Sequence, residues 1–214
     1  MNLQNPKKFK LLIDQANQVA INVLRPISRK YDKAEHSYPK ELDMLASLVD
    51  GMNEGGEGMN AGAAVGKRGT NEQGNKNGVN LSTALSVIEM CYGDTALLLS
   101  MPRQGLGNSA IAAVANEEQL ERFKNTWAAM AITEPNCGSD SAAIRTSATK
   151  VGDDYILNGL KCFNTNGPLA DYTAVYALTE PEKKAKGLSC FVVKKGTPGF
   201  SVGKIEDKMG IRSA

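Results

Sequence analysis

Two short stretches of this chain concentrate side chains that could bind the polar edge of a flat ligand. The first is AITEPNCGSDSAA at residues 131–143, and the second is KCFNTNG at residues 161–167. Thr133 and Thr165 carry hydroxyls that can both donate and accept hydrogen bonds. Because the two stretches bracket a hairpin, we expect their threonines to lie at a similar depth in one site.

Gly138 and Ser139 add a second kind of binding group to the first stretch. A glycine lets a backbone approach a ligand closely, and a serine after it can cap a turn or offer N–H groups to an anion. An isolated threonine is more often a strand residue with a satisfied hydroxyl. The pairing of both stretches in order favours the ligand site.

Composition restricts the other classes of function. The chain has 214 residues, 42% hydrophobic and 22% charged, with a net charge of +2, so a nucleic-acid partner is not expected. A single histidine, His36, excludes a histidine-rich metal site, and no metal is predicted. Cys91, Cys137, Cys162 and Cys190 show no CxxC spacing, which favours reduced thiols in a cytoplasmic protein.

The amino-terminal half carries helical periodicity. Apolar residues spaced by three and four predict a helix over residues 7–25 that ends at Pro26. A second helix is predicted from about Pro39, with Leu42, Leu45, Leu48 and Val49 facing the core. The polar start MNLQNPKKFK and the lack of a long apolar window predict neither a signal peptide nor a membrane span.

A glycine-rich segment at 51–79 is predicted to be a long irregular loop. Its GEGMNAG and GAAVGKRGT runs imitate nucleotide-binding motifs, but their spacing does not match. A long helix is then expected from an N-cap at Asn80 until Pro102, with an apolar pattern formed by Leu81, Leu85, Ile88, Cys91 and Tyr92. Asn116 and Gln119 predict a capping box for a further short helix.

Trp127 marks a change to a period of about two residues, with frequent turns. Gly152 and Asp153 predict one hairpin turn, and PEKKAKG predicts a second, charged hairpin loop. The Pro198-Gly199 pair is then predicted to turn the chain into FSVGKI. We therefore expect an α+β protein, with a helical domain at 1–128 and an antiparallel β-barrel or sandwich at 129–214, incomplete at its carboxyl end.

The ordered motifs TEP, GSD and KCFNTN resemble those of the flavin-binding middle domain of the acyl-CoA dehydrogenase family. The segments SATKVGDDYILNGLKCFNTNGPLADY, LSCFVVKKGTPGF and EDKMGIRSA resemble later parts of that domain in the same order. The likeness covers roughly residues 80–214 and is weaker over 1–50. It is lost between about 53 and 79.

The resemblance implies that the chain binds FAD. The residues it places at the cofactor are Met130, Ile132, Thr133, Gly138, Ser139, Phe163 and Thr165. It also implies acyl-CoA contacts at Ser139, Tyr92 and Leu98, although core packing is the commoner role for the latter two. The family most often has tryptophan where this chain has Phe163, and an aliphatic residue in place of Asn164.

The implied reaction is α,β-desaturation of an acyl-CoA thioester, as in fatty-acid β-oxidation. A carboxylate removes the α-proton while a hydride passes to flavin N5, and that base is expected beyond residue 214, so this piece alone is expected to be inactive. An electron-transfer flavoprotein and homo-oligomerisation are implied too. An acyl-CoA oxidase or flavin monooxygenase of the same fold, distinguished by rapid peroxide formation, and a non-catalytic binding module are the alternatives.

Overall fold

A computed structural model describes residues 7–54 and 79–214. Its helices are α1 (Lys10–Val19), α2 (Arg25–Ala34), α3 (Glu41–Glu54), α4 (Val79–Leu99), α5 (Leu106–Val114) and α6 (Glu117–Phe123). Its strands are β1 (Ala128–Ala131), β2 (Ser147–Val151), β3 (Asp154–Asn158), β4 (Tyr172–Leu178) and β5 (Leu188–Lys194). The predicted order of helices followed by strands, and with it the α+β class, is confirmed. None of the described helices is both long and apolar enough to cross a bilayer.

The first helix does not end at Pro26, so that prediction was wrong. A π-helical turn at Ala20–Leu24 connects α1 directly to α2, and the N–H of Arg25 donates to the carbonyl of Ala20. Pro26 then lies in the first turn of α2, where a missing N–H is tolerated. The widened turn thus carries the chain through a residue that normally stops a helix.

The long helix α4 is broken near its middle. Asp94 has extended backbone angles (φ −171°, ψ 121°), and its Oδ1 accepts a hydrogen bond from the N–H of Leu97 at 2.9 Å, as an N-cap does. Ser28 on α2 donates to the other carboxylate oxygen. A Cβ on Gly93 would lie 2.8 Å from the Cα of Ala20, so the break in α4 packs directly against the π turn.

The helical core contains fewer of the predicted apolar residues than the sequence pattern suggested. Leu42 and Leu45 are buried, whereas Leu48 is 56% exposed and does not face the core as predicted. On α4, Met90 and Leu97 are buried, while the predicted stripe residues Leu81, Ile88 and Tyr92 are 44%, 63% and 59% exposed. These three residues precede the break at Asp94 and lie on the opposite side of the helix from the buried Met90, so the sequence pattern selected the wrong apolar face.

The start of the predicted loop at 51–79 also differs from the structure. Helix α3 continues to Glu54, and α4 begins at Val79, so Asn80 lies within the helix rather than at its cap. The remainder of that prediction, residues 55–78, lies outside the described residues. The capping box at Asn116 and Gln119 is present, with each side chain bonded to the other backbone N–H at 2.9–3.0 Å.

The strands form one five-stranded sheet in the order β1-β4-β2-β3, with β5 also paired to β4. The β2–β3 and β4–β5 pairs are antiparallel, as the predicted turns require, but β1–β4 and β2–β4 are parallel. The antiparallel barrel or sandwich was therefore wrong in detail, because the sheet is mixed. The FSVGKI segment forms no strand within the described residues. All four cysteines are free.

Helix α5 lies directly against the backbone of β1. A Cβ on Gly107 would lie 2.2 Å from the carbonyl oxygen of Ala129, so only glycine allows this approach. Asn108, which is buried, donates from Nδ2 to the carbonyl of Thr126 at 2.8 Å and accepts from the N–H of Ala128 at 3.0 Å. These contacts fix the start of β1 and, with it, the residues that follow.

Candidate functional site

A cavity of about 320 Å³ lies where the end of α4, the start of α5, the end of β1 and the loop at 163–166 meet. Its walls are formed by Val87, Leu98, Leu99, Gln104, Gly105, Leu106, Ser109, Ala128, Met130, Ile132, Thr133, Phe163, Asn164, Thr165 and Asn166. Helical residues supply most of the apolar wall, and the two motif stretches supply most of the polar one. One face of a ligand here would be apolar and one edge polar.

The structure brings together most of the residues that the sequence analysis placed at a site. Those that line the cavity are Met130, Ile132, Thr133, Phe163, Thr165 and Leu98. Gly138 and Ser139 are not among the lining residues, and a Cβ on Gly138 would meet nothing within 4 Å. Tyr92 does not line the cavity either. Instead, the guanidinium of Arg25 lies over the Tyr92 ring and donates to the Tyr92 carbonyl at 2.9 Å. The binding roles of all these residues remain predictions.

A buried ion pair joins the two motif stretches beneath the cavity. Lys161 Nζ lies 2.8 Å from Glu134 Oε1, and the two side chains are only 8% and 7% exposed. The same ammonium donates to the carbonyl of Ile132 at 3.0 Å. Glu134 also accepts from the N–H of Arg145 at 2.7 Å and from the N–H and hydroxyl of Thr146 at 2.9 and 2.6 Å. The pair therefore ties the end of β1 to the second motif and to the start of β2.

These hydrogen bonds determine the charge of Glu134. Burial by itself raises the pKa of the carboxyl, but the hydrogen bonds from Lys161, Thr146 and the backbone of Arg145 outweigh it and lower the pKa from 4.5 to about 2. A carboxylate held in this way is a poor proton acceptor near neutral pH. Glu134 is thus a structural anion rather than a candidate base.

The lowered pKa of Glu134 predicts a loss of stability in acid. A group whose folded pKa is depressed stabilises the fold above its unfolded pKa, and this contribution is lost as the pH falls toward the folded pKa. Between about pH 6 and pH 3 we expect the free energy of unfolding to fall by about 2 kcal/mol more in the wild type than in Glu134→Gln. Urea unfolding of both proteins across this range measures the difference. Parallel curves would contradict the depressed pKa.

Two consecutive carbonyls at the end of β1 are bound to the second motif. Lys161 Nζ donates to the carbonyl of Ile132, and the N–H of Cys162 donates to the carbonyl of Thr133 at 2.9 Å. The N–H groups of Ile132 and Thr133 make no hydrogen bond to another described residue. The hydroxyls of Thr133 and Thr165 also make no hydrogen bond to the part of the chain that the structure describes. These donors belong to residues that line the cavity, so they are available to a bound ligand.

The loop at 163–166 has strained backbone geometry. Phe163 and Asn166 have φ values of 56° and 61°, in the left-handed region that non-glycine residues rarely adopt. The ring of Phe163 is 73% exposed beside the cavity, while Asn166 is buried and donates from Nδ2 to the carbonyl of Leu99 at 2.7 Å. Asn166 thereby connects the end of α4 to Thr165, and the strain is concentrated where the two walls of the cavity meet.

Sequence reasoning missed the residues that hold this site in place. Glu134, Lys161, Asn108 and Asn166 had no assigned role, although the first two stand within the quoted motifs. Glu134 and Lys161 carry opposite charges in the two quoted motifs, which were expected to lie side by side, and that was a signal for an ion pair. The role of Asn108 depends on tertiary contact with β1 and has no comparable local signal.

Comparison with known proteins agrees with this architecture. Residues 129–214 match the family model "Acyl-CoA dehydrogenase, middle domain". The chain is 38% identical to a cyclohex-1-ene-1-carbonyl-CoA dehydrogenase of Syntrophus aciditrophicus, over 95% of the chain and 47% of that protein. It is 33% identical to an acryloyl-CoA reductase (NADH) of Anaerotignum propionicum, over 99% of the chain and 52% of that protein.

A solved structure gives the same result for the fold. The chain superposes on a glutaryl-CoA dehydrogenase of Mycobacterium smegmatis in complex with FADH2, with a TM-score of 0.75 and 25% identity, over 97% of the chain and 50% of that structure. The helical region followed by a mixed sheet is therefore the fold of the acyl-CoA dehydrogenases. The chain belongs to the acyl-CoA dehydrogenase family, as its motifs indicated. It spans about half the length of the curated relatives it matches.

Proposed function

We propose that this chain forms the flavin-binding and acyl-binding surfaces of an FAD-dependent acyl-CoA dehydrogenase. The observation that carries the proposal is the cavity with one apolar and one polar wall at the junction of helices and sheet. Unpaired donors at Ile132, Thr133 and Thr165 lie on the polar side, and Leu98 and Leu99 lie on the apolar side. The two relatives named above are a dehydrogenase and a reductase of CoA thioesters, and the glutaryl-CoA dehydrogenase structure contains FADH2.

The residues of the cavity suit an isoalloxazine ring. The ring has a flat apolar body with carbonyl and nitrogen acceptors along one edge, which match the exposed ring of Phe163 and the donors at Thr133 and Thr165. Bound FAD would supply a hydride acceptor for the β-carbon of an acyl thioester. The protein donors would favour the negative charge that the reduced ring carries, because they are fixed before reaction.

The proton acceptor is proposed to lie outside the residues described here. No aspartate or glutamate is among the residues that line the cavity, and Glu134 beneath it is held ionised by its hydrogen bonds. The 214-residue chain alone is therefore expected to bind ligands without desaturating them. An electron-transfer flavoprotein as the electron acceptor, and assembly into a homo-oligomer, are part of the same proposal.

Flavin binding by the purified chain tests this function. The chain holds only the cavity surfaces described above, so we expect it to be isolated largely colourless and to bind added FAD saturably, with a dissociation constant on the order of 10–100 µM. Equilibrium dialysis and flavin fluorescence provide the measurement. Absence of saturable binding would overturn the proposal, and stoichiometric yellow protein after gel filtration would show that the remaining contacts are stronger than expected.

Thr165→Val is expected to weaken FAD binding by about 3- to 10-fold while leaving the affinity for an acyl-CoA unchanged. Valine keeps the shape of threonine but removes one hydrogen bond of about 1 kcal/mol. Thr149→Val, at an exposed position of β2, is the matched control and should bind FAD like the wild type. If Thr165→Val weakens acyl-CoA binding instead, the hydroxyl serves the substrate and the flavin orientation is different.

A second candidate is reduction of an α,β-unsaturated acyl-CoA, which the similarity to the acryloyl-CoA reductase favours. The same surfaces would serve, because hydride transfer between flavin and β-carbon is reversible in principle. The two functions differ in the electron partner. The assay uses a protein that includes the proposed proton acceptor as well as this chain. Flavin reduction by a saturated acyl-CoA indicates the dehydrogenase, whereas flavin reduction by NADH indicates the reductase.

A further inference from the structure

Lys161 contacts the cavity indirectly, through a single peptide group. Its ammonium donates to the carbonyl of Ile132 at 3.0 Å, and that carbonyl shares a peptide unit with the N–H of Thr133. In a trans peptide the carbonyl and the N–H point in opposite directions. The lysine therefore lies at one end of this peptide, and the unbonded N–H of a cavity-lining residue lies at the other.

A charged donor on a carbonyl polarises the whole peptide group. Hydrogen bonds in a low-dielectric interior strengthen one another along such chains, and charge-assisted bonds are the stronger ones. Lys161 is 8% exposed, so water does little to screen this effect. The N–H of Thr133 consequently becomes a better donor to a negatively charged acceptor than an ordinary backbone N–H.

Glu134 opposes this effect because it binds the same ammonium. It lies 2.8 Å from Lys161 Nζ and remains ionised, so it compensates part of the positive charge of the lysine. The two partners of one ion pair thus act in opposite directions on a charge that develops in the cavity. A purely structural pair would affect the fold through both partners but would not show this opposition.

We propose that Lys161 and Glu134 are positioning residues that set the preference of the site for reduced over oxidised flavin, acting through the Ile132–Thr133 peptide. This inference rests on the proposed flavin function and adds to it a means of tuning the cofactor. The lysine favours the reduced ring, which carries negative charge, and the glutamate limits that preference. Neither residue is required to touch the flavin.

The test measures dissociation constants of oxidised FAD and anaerobically reduced FAD for four proteins. These are the wild type, Glu134→Gln, the double variant Glu134→Gln/Lys161→Gln, and Glu41→Gln. The double variant contains no buried charge at either position and is expected to fold. The single Glu134→Gln change leaves the buried lysine charge without its carboxylate, so circular dichroism checks its fold before titration, and the double variant tests the inference independently. Glu41→Gln removes a carboxylate from another ion pair, with Lys30, on the helical part of the chain and serves as the control.

We expect Glu134→Gln to increase the preference for reduced FAD by about tenfold, equivalent to about 30 mV for a two-electron couple. In the double variant, the preference for reduced FAD should be lower than in the wild type by a similar factor. In Glu41→Gln, this preference should equal that of the wild type. Unchanged preference in both site variants, with FAD still bound, would overturn this inference alone. Failure of the wild type to bind either form of FAD would overturn the proposed function as well.

Discussion

Replacing Lys161 with methionine is expected to lower the free energy of unfolding by about 3–5 kcal/mol. Methionine fills a similar volume, but it leaves Glu134 ionised, 7% exposed and without its cationic partner. The cost of an unpaired buried charge exceeds that of most single substitutions. Urea unfolding at neutral pH, followed by circular dichroism, measures this loss.

Two controls separate the buried charge from the loss of a lysine side chain. Lys150→Met, at an exposed position of β2, should change stability by less than about 0.5 kcal/mol. Adding Glu134→Gln to Lys161→Met should recover part of the stability, because no unpaired charge is then left inside. A loss below about 1 kcal/mol for Lys161→Met would mean that water reaches the pair and that it does not hold the site together.

Gly107→Ala is expected to destabilise the protein by at least about 2 kcal/mol, although alanine is the better helix former by about 1 kcal/mol. The new methyl group would lie 2.2 Å from the carbonyl oxygen of Ala129 and 2.4 Å from that of Ala128. Both obstacles are backbone atoms, so α5 must move away from β1. Thermal and urea unfolding measure the effect, and FAD titration should show a weaker site because α5 forms one wall of the cavity.

Gly203→Ala is the matched control for this substitution. A Cβ at Gly203 meets nothing within 4 Å, and its backbone is not in the left-handed region, so the change should be close to neutral. If Gly107→Ala is as stable as Gly203→Ala, the close approach of α5 to β1 is relieved by a small shift. The conclusion that α5 holds the cavity wall rigidly against β1 would then be wrong.

The sequence predicted the β half of the fold better than the helical half. Turn residues such as Gly152 act locally, so the β2–β3 and β4–β5 hairpins followed from the chain alone. The parallel pairing of β1 with β4 did not follow, because those strands are 40 residues apart along the chain and no local signal sets their direction. Long-range pairing is therefore where the predicted antiparallel architecture failed.

The helical half shows a different limit. A uniform period placed Ile88 and Tyr92 inward, but α4 carries apolar residues on more than one side, and its packing against α1 and α2 selects the side that contains Met90. The break at Asp94 likewise depends on tertiary contacts with Ala20 and Ser28 that no local pattern reveals. For the candidate site, the motifs predicted that Thr133, Phe163 and Thr165 lie together, and all three line one cavity. Its supporting residues were not, because their roles arise only when the two motifs are brought together.

The π turn at Ala20–Leu24 contains one residue more than an α-helical turn, because the N–H of Arg25 donates to the carbonyl of Ala20, five residues back, where an α-helix would reach back four. Deleting one residue from this turn would let an ordinary α-helical turn close, and the faces of α1 and α2 would keep nearly the same directions. Inserting one residue has no such outlet and would rotate α2 by about 100° relative to α1. Tyr31 would then leave the core, and Ser28 would no longer meet Asp94. Over evolutionary time this segment should therefore lose a residue more readily than it gains one.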